Sequence, residues 1–353
     1  MKTQLSLVEL ATQIQANKDT KRDFIADTRE LHTGVVGEES KSIQLMVGNE
    51  DAMSITDHAH SQIASRLQIP KQYYDRLRTN HPDLLSHDIN ELFQREPERR
   101  MVRTLKGNVR AFMSDRYRVM DNDGLAGAIL PILQTVPDLQ IQSAALTETR
   151  MYMKCVFPRT QMEVKRGDFI QSGIVISNSE VGAGSLYFAP LAFRLECLNG
   201  LISEHYGQRK YHVGRAADEG EEAYEIYRDE TLQADDKALW LKVQDVLRAA
   251  INDASFEKIV AQMQRATGVR LTGKIDKIVE VTAKKFGYTE DESGGILRHL
   301  IEGGDLTMYG LMNAITAQSQ DVVDYDRATQ LERDGGRLIE LPRTDWELLA
   351  QAA

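Results

Sequence analysis

The chain has 353 residues, a formal net charge of −10 and an isoelectric point near 5.4. Its 42% hydrophobic and 27% charged residues are typical of a globular protein with one large domain or two. No segment approaches the roughly 18 apolar residues that cross a bilayer, so we expect no membrane partner. An acidic protein does not coat nucleic acid with its whole surface, although a local basic groove is compatible with this charge.

Targeting signals and cysteine usage indicate the compartment. The opening residues, MKTQLSLVEL, lack the apolar core of a secretory signal. Cys155 and Cys197 are the only cysteines, and both lie in apolar, strand-like runs typical of buried free thiols. These features predict a cytoplasmic protein.

Residues 1–95 are predicted to form a mostly helical region. Ser6 with Glu9 three residues later is a capping box before the first apolar helix. A short strand is predicted over residues 42–47. Two further helices are predicted over residues 57–67 and 70–77.

The last two helices raise a helix-turn-helix alternative. In that arrangement Lys71, Gln72 and Arg76 would face DNA. The turn carries Gln68 where a glycine is common, and Pro70 suits the first turn of an ordinary helix. An ordinary packed hairpin is therefore favoured.

Residues 96–216 are predicted to be β-rich. Residues 102–105 and 109–112 read as a hairpin around Lys106, Gly107 and Asn108. Regular alternation of apolar and polar residues predicts a strand over 150–157. Further strands are predicted over residues 116–120, 170–177 and 191–197, and a helix over 125–133.

The remainder of the chain is predicted to be helical after an acidic linker. Residues 218–236 carry nine acidic side chains against one basic one, so residues 217–237 read as a solvated linker. Helices are predicted in the last region, 238–353, over residues 239–261, 274–286 and 311–317, punctuated by Gly-Gly pairs. The predicted fold is α+β: a central antiparallel-rich sheet flanked by N-terminal and C-terminal helical parts.

Positive charge is concentrated between residues 95 and 118, where eight Lys and Arg residues face three acids. Residues two apart on a strand share a face, so Arg110 projects with Phe112, and Arg116 with Arg118. Grooves for single-stranded nucleic acid combine cations for phosphates with aromatic rings for bases. Residues 150–154 and 205–215 show the same combination of basic and aromatic side chains.

These stretches predict a nucleic-acid-binding sheet face. Its residues are Arg99, Arg100, Arg103, Lys106, Arg110, Phe112, Arg116, Tyr117, Arg118, Arg150, Tyr152, Lys154, Arg209, Lys210 and Tyr211. Strict alternation places Tyr117 opposite its arginine neighbours, so Phe112 is the better stacking platform. A merely solvated face of an antiparallel sheet has the same composition and stays an alternative.

Two weaker patterns suggest other chemistry. The loop containing Gly182, Gly184 and Ser185 follows a strand and could cradle a phosphate. It lacks the third glycine of a dinucleotide fingerprint and the ending of a P-loop, so a turn between strands is favoured. His58 and His60 lack the partners of a four-ligand site. We therefore predict no metal, no cofactor and no catalytic constellation.

Four motifs carry a family resemblance: SDRYRVMDN (114–122), ISNSEVGAGSL (176–186), FRLECLNGL (193–201) and GLMNAITAQSQDVVDYDRATQLERDGG (310–336). Their combination in this order resembles the phage- and plasmid-encoded family catalogued as domain of unknown function 932, in its plasmid and prophage branch. The resemblance covers roughly residues 40–345. That family has no assigned catalytic residues, so the resemblance implies only a mobile genetic element.

The sequence favours a homo-oligomer that binds single-stranded DNA and takes part in recombination or annealing. About five neutralised phosphates would give a log–log salt slope near −3.5. Three alternatives stay open: a nucleotide- or nucleic-acid-processing enzyme that uses the Gly-rich loop, a helix-turn-helix regulator, and an interaction protein that uses the acidic segment.

Overall fold

The computed structural model of the chain describes residues 5–37, 41–195, 199–204, 208–210, 229–251 and 255–352. These residues contain twelve α-helices and two sheets, so the predicted α+β class is confirmed. The β structure is divided between two six-stranded sheets and does not form one central sheet. None of the described helices has the length and apolar character that a bilayer crossing requires.

The helices and strands follow one another along the chain. The described helices are α1 (Leu7–Lys18), α2 (Asp57–Arg66), α3 (Lys71–Asn80), α4 (Pro82–Arg95), α5 (Asn122–Leu133), α6 (Asp229–Ile251), α7 (Ser255–Thr267), α8 (Ile275–Phe286), α9 (Glu290–Gly303), α10 (Met308–Gln318), α11 (Tyr325–Glu340) and α12 (Arg343–Ala350). The described strands are β1 (Lys21–Asp27), β2 (Leu31–Val36), β3 (Ser42–Val47), β4 (Met53–Ile55), β5 (Arg99–Leu105), β6 (Asn108–Ser114), β7 (Gln140–Leu146), β8 (Met151–Lys165), β9 (Asp168–Asn178), β10 (Leu186–Arg194), β11 (Asn199–Ile202) and β12 (Gln208–Lys210).

The first sheet has the strand order β1-β5-β6-β4-β3-β2 and is antiparallel except where β4 runs parallel to β6. Residues 1–95 thus contribute four strands, although the sequence predicted only β3, at its observed bounds. β1 and β2 escaped prediction because they are edge strands without a regular alternation of buried and exposed residues. Helices α2 to α4 cover one face of this sheet, with Ile63 and Phe93 packed in its core.

The second sheet has the order β11-β10-β9-β8-β7, and β12 pairs with β10. Helices α1, α5 and α6 cover one face, where Ile129 and Val243 join Met153 and Phe188 in one apolar core. Helix α11 covers the other face and approaches β11 closely. Gly336 makes this approach possible, because a Cβ there would overlap the carbonyl oxygen of Ile202.

Several local predictions are confirmed. Ser6 and Glu9 form the capping box of α1. The predicted hairpin is β5 and β6, and its turn places Lys106 and Gly107 at positive φ of 52° and 76°. Helix α5 begins at Asn122, close to its predicted start.

Two local predictions are wrong for identifiable reasons. Residues 116–120 form no strand, because the chain turns after Ser114 and leaves the sheet. The Gly-Gly pairs at 294–295 and 335–336 lie inside α9 and α11 and do not end them. There they provide space for α10, since a Cβ on Gly295 would overlap Gln318 and one on Gly335 would overlap Thr316.

The acidic segment is described only in part. Helix α6 begins at Asp229, inside the predicted linker 217–237, and residues 211–228 lie outside the described residues.

Candidate functional site: a charge network and cleft between the two sheets

The first two sequence motifs meet where the two sheets adjoin. The loop after β9 holds Glu180, whose carboxylate accepts a hydrogen bond from the backbone N–H of Asn122 at 2.7 Å. Asn178 donates through Nδ2 to Asn122 Oδ1 at 2.9 Å and to Met120 O at 2.8 Å. The Tyr117 hydroxyl donates to Ser179 O at 3.2 Å. The start of α5 and the loop after β9 are therefore joined into one unit.

Glu180 is the central anion of this unit. It is 6% exposed, with Lys21 Nζ 2.5 Å from Oε1 and Arg110 Nη1 2.5 Å from Oε2. Burial by itself would raise the pKa of this carboxyl. Arg110, Lys21 and the Asn122 N–H outweigh burial and hold the pKa below its ordinary value. Glu180 is consequently ionised at neutral pH.

Arg103 is the central cation, and its side chain is fully buried. Its Nη2 lies 2.9 Å from Asp23 and 2.8 Å from Asp121, and its Nη1 donates to Glu180 O at 2.7 Å. Burial opposes the charged form, but the two carboxylates raise the pKa of Arg103 above its ordinary value. The Arg103 side chain therefore points from β5 into the interior of the protein. It does not contribute to an exposed face of the sheet.

We call this assembly the junction network. It comprises four cations and four carboxylates: Lys18, Lys21, Arg103, Arg110, Asp23, Asp121, Asp123 and Glu180. The charges therefore cancel within the network. In its most buried part, formed by Arg103, Arg110, Lys21 and Glu180, removal of one partner leaves another charge uncompensated, which destabilises the fold.

Three carboxylates of the network lie close enough to resemble a metal site. Oxygens of Asp121, Asp123 and Glu180 all lie within 4.8 Å of one another. However, Lys21 Nζ is 3.5 Å from Asp121, 3.6 Å from Asp123 and 2.5 Å from Glu180. An ammonium group already provides the positive charge that a metal ion would bring, so the geometry does not support a metal there.

A small cleft of about 190 Å³ adjoins the network. Three cations line it, Lys106, Arg110 and Arg150, together with two carboxylates, Glu148 and Glu180. Asparagine and threonine side chains from α1, from the turn between β7 and β8, and from neighbouring segments also line it, and Leu105, Leu146 and Val181 complete the lining. We call it the junction cleft.

Arg110 is the least satisfied cation in the cleft. It is only 7% exposed, and its one ion pair uses Nη1. Nε and Nη2 are buried and have no hydrogen-bond partner among the described residues. Since buried donors are normally paired, a guanidinium with two unpaired nitrogens beside a cleft is the strongest local indication of a ligand.

Arg150 lies immediately before β8 and, unlike Arg110, lacks a carboxylate partner among the described residues. It donates through Nη2 to Ala183 O and lies 3.4 Å through Nη1 from Ser177 Oγ. Burial lowers the pKa of Arg150, as expected for a guanidinium without a paired anion. Its surroundings therefore favour an added negative charge.

The Gly-rich loop supports this arginine and does not offer a phosphate cradle. Arg150 occupies the space where a Cβ on Gly184 would lie. Ala183 presents its carbonyl to Arg150, and its N–H donates to Ser179 Oγ at 2.9 Å. The predicted phosphate-binding role of Gly182, Gly184 and Ser185 is thus unsupported, because Arg150 fills the space beside Gly184 and the Ala183 N–H already has a partner.

The predicted exposed sheet face is wrong for five of its residues, which are buried: Arg103, Arg110, Phe112, Tyr152 and Lys154. Phe112 stacks on Phe93, with ring centroids 5.7 Å apart. Lys154 pairs with Glu332 of α11, and Tyr152 contacts Tyr325 of the same helix. The predicted solvated face of Tyr152 and Lys154 is thus covered by α11, which lies far away along the chain, and Phe112 is covered by α4.

The other predicted residues are dispersed. Arg100 pairs with Glu98 at 2.7 Å, and Arg118 with Asp235 at 2.8 Å. Arg99 and Arg116 are exposed, but Arg99 begins β5 at the end opposite the junction cleft. Arg209 and Lys210 lie in β12 with side chains outside the description, and Tyr211 lies outside the described residues. Among the described residues of the predicted face, Lys106, Arg110 and Arg150 line one cleft together.

Helices α2 and α3 form the expected helical hairpin, with Gln68 at a φ of 54° in the turn. Their inner face is packed, and His60 Nδ1 lies 2.8 Å from the Tyr74 hydroxyl. Burial lowers the pKa of His60 to about 4, so this histidine is neutral at pH 7. His58 instead contacts the backbone oxygen of Val181. The helix-turn-helix reading stays a prediction.

The sequence pointed to Arg110 and Arg150 but missed the acidic partners that define the network. Glu180, Asp121 and Asp23 were not singled out, because their neighbours in sequence are not their neighbours in space. The available signal was that Glu180 is the only charged residue in ISNSEVGAGSL.

Comparison of the chain with protein-family models, with curated protein sequences and with solved structures gives no match. The resemblance to domain of unknown function 932 therefore stays a prediction that rests on the four motifs. The functional proposal therefore rests on the geometry of the junction network and the junction cleft.

Proposed function

We propose that this protein binds single-stranded nucleic acid by holding a phosphate group in the junction cleft. The observation that carries the proposal is Arg110, which is 7% exposed and has Nε and Nη2 without partners. These two nitrogens form one edge of the guanidinium, the edge that pairs side-on with two oxygens of a phosphate.

Two neighbouring cations strengthen the proposal. Arg150 has no carboxylate partner among the described residues. Lys106 lines the cleft, is exposed and forms no ion pair with a described residue. Since the junction network is balanced, the remaining charges of the cleft are Arg150, Lys106 and Glu148, which leave one positive charge. A flexible single strand can insert a phosphate into so small a cleft more readily than a stiff duplex can.

The sequence predicted an extended basic sheet face, whereas the proposed site contains three cations. One phosphate held in the cleft gives a log–log salt slope of about −0.7 for a single strand, shallower than −3.5. Location in the cytoplasm, assembly into a homo-oligomer and a role in annealing or recombination on a mobile element are proposed with it. The buried free thiol of Cys155, whose pKa burial raises to about 12, agrees with a reducing compartment.

The test is fluorescence anisotropy with a labelled single strand and its duplex at several salt concentrations, with mass photometry of the same samples. We expect preferential binding of the single strand and a log–log salt slope of about −0.7. Arg150→Gln and Lys106→Gln should each weaken binding, and Arg99→Gln is the matched control because Arg99 is exposed at the far end of β5. Absence of binding at low salt, or equal loss in the Arg99→Gln control, would contradict the proposal.

A further inference from the structure

We infer that the junction cleft selects the terminal phosphate of a strand over the phosphodiesters within it. This inference rests on the proposed function and specifies its ligand. Two properties of the cleft support this preference: its volume and the number of hydrogen-bond donors that it presents.

The volume admits a phosphoryl group and is smaller than that of sites that enclose a whole ligand. About 190 Å³ is the space of roughly six water molecules. Sites that enclose whole drug-sized ligands occupy roughly 300–1,000 Å³. A phosphate can therefore enter while its sugar and base stay outside. At a strand end only one chain segment has to leave the cleft, whereas an internal phosphodiester needs room for two.

The donors match the three free oxygens of a phosphomonoester better than the two of a diester. Arg110 offers the edge formed by Nε and Nη2, which can take two oxygens. Arg150 and Lys106 can contact the third oxygen from the rim. A monoester also carries about −1.5 to −2 charge at pH 7, more than the single charge of a diester.

The carboxylates of the cleft do not cancel this preference. Glu180 is bonded to Lys21 as well as to Arg110, so its charge is compensated within the junction network. Glu148 is exposed and accepts a hydrogen bond from the backbone N–H of His58 at 3.1 Å. Its remaining effect is to weaken anion binding, so Glu148→Gln should tighten it.

The experiment compares four forms of one 20-nucleotide strand: 5′-phosphorylated, 3′-phosphorylated, with two hydroxyl ends, and circularised. We expect at least tenfold tighter binding of one phosphorylated form than of the hydroxyl-ended and circular forms, and competition by inorganic phosphate. Arg150→Gln should remove the preference, Lys106→Gln should reduce it, and Arg99→Gln should leave it intact. Thermal melting of each variant confirms folding.

The outcomes separate the two proposals. Equal binding of all four forms overturns the end preference while nucleic-acid binding stands. No binding of any form overturns both. A preference that survives both Arg150→Gln and Lys106→Gln places the end-binding site elsewhere and overturns the assignment to this cleft.

Discussion

Arg110 and Lys154 look alike in the sequence, since each is a basic residue on a strand beside aromatic residues, yet their surroundings differ. Both are buried, and each pairs with one glutamate, Glu180 or Glu332. The ammonium of Lys154 is enclosed by Glu332 and lies 4.9 Å from the centre of the Tyr325 ring under α11. We call Lys154 and Glu332 the covered pair.

The difference lies in what each cation has left to donate. The guanidinium of Arg110 uses one nitrogen for Glu180 and keeps two unpaired beside a cleft. None of the described unpaired buried atoms belongs to Lys154 or Glu332. A buried cation by itself thus indicates only a structural ion pair, whereas unused donors next to open volume indicate a ligand.

The largest expected effect is on Glu180, because three groups depend on its carboxylate. Glu180→Leu leaves Lys21, Arg110 and the Asn122 N–H without their shared partner. We expect a loss of about 3–5 kcal/mol in the free energy of unfolding, measured by urea denaturation. Adding Arg110→Met should recover little, since Lys21 and the N–H remain. Full recovery in the double variant would mean that the network acts as one isolated pair.

The covered pair should behave in the opposite way. Glu332→Leu leaves Lys154 buried and unpaired, and we expect a loss of about 3 kcal/mol. The double variant Lys154→Met with Glu332→Leu should lie within about 1 kcal/mol of the wild type, because two apolar side chains replace both partners. A double variant as unstable as the single one would contradict the comparison.

Phosphate should stabilise the junction and leave the covered pair unaffected. At one hundred times its dissociation constant, a ligand adds about 2.7 kcal/mol to the stability. We expect a concentration-dependent rise in Tm for the wild type and for the Lys154→Met, Glu332→Leu variant, measured against chloride at equal ionic strength. Arg150→Gln should show no rise. A rise of equal size in all three proteins would place the anion elsewhere.

The smallest expected difference is in pH dependence, where the two regions respond at opposite ends of the scale. The pKa of Glu180 lies below its ordinary 4.5, so its contribution is present above that value and is lost as the pH falls through the folded pKa. Burial opposes the charge of Lys154, but Glu332 raises its pKa above 10.5, so that contribution is lost as the pH rises through the folded pKa.

Unfolding free energies measured across the pH range test this contrast. Replacing Arg110 and Glu180 together should flatten the acid side of the profile. Replacing Lys154 by Met should flatten the alkaline side. The opposite assignment of the two changes would show that other groups dominate the titration.

Local patterns allowed much of the fold to be predicted. The capping box at Ser6, strand β3 and the hairpin of β5 and β6 are specified by residues within a few positions of one another. The edge strands β1 and β2 were missed because their pairing partners, not their own patterns, make them strands.

For the candidate site, the sequence identified Arg110 and Arg150 as candidate cations. It did not show which faces of the strands are covered by other parts of the chain. It treated Tyr152 and Lys154 as solvated, because alternation distinguishes two faces of a strand without saying which one a helix will cover. Helix α11 supplies Glu332 from 178 residues further along the chain. Nothing near Lys154 in sequence records that contact.

The sequence by itself determined the α+β class and the residue types that could bind an anion, because periodicity, caps and turns act over a few residues. Only the tertiary structure decided which cations keep unused donors, because a carboxylate neutralises a cation through proximity in space. For this reason Arg103 and Lys154 form buried ion pairs that hold the fold together, whereas Arg110 and Arg150 line a cleft.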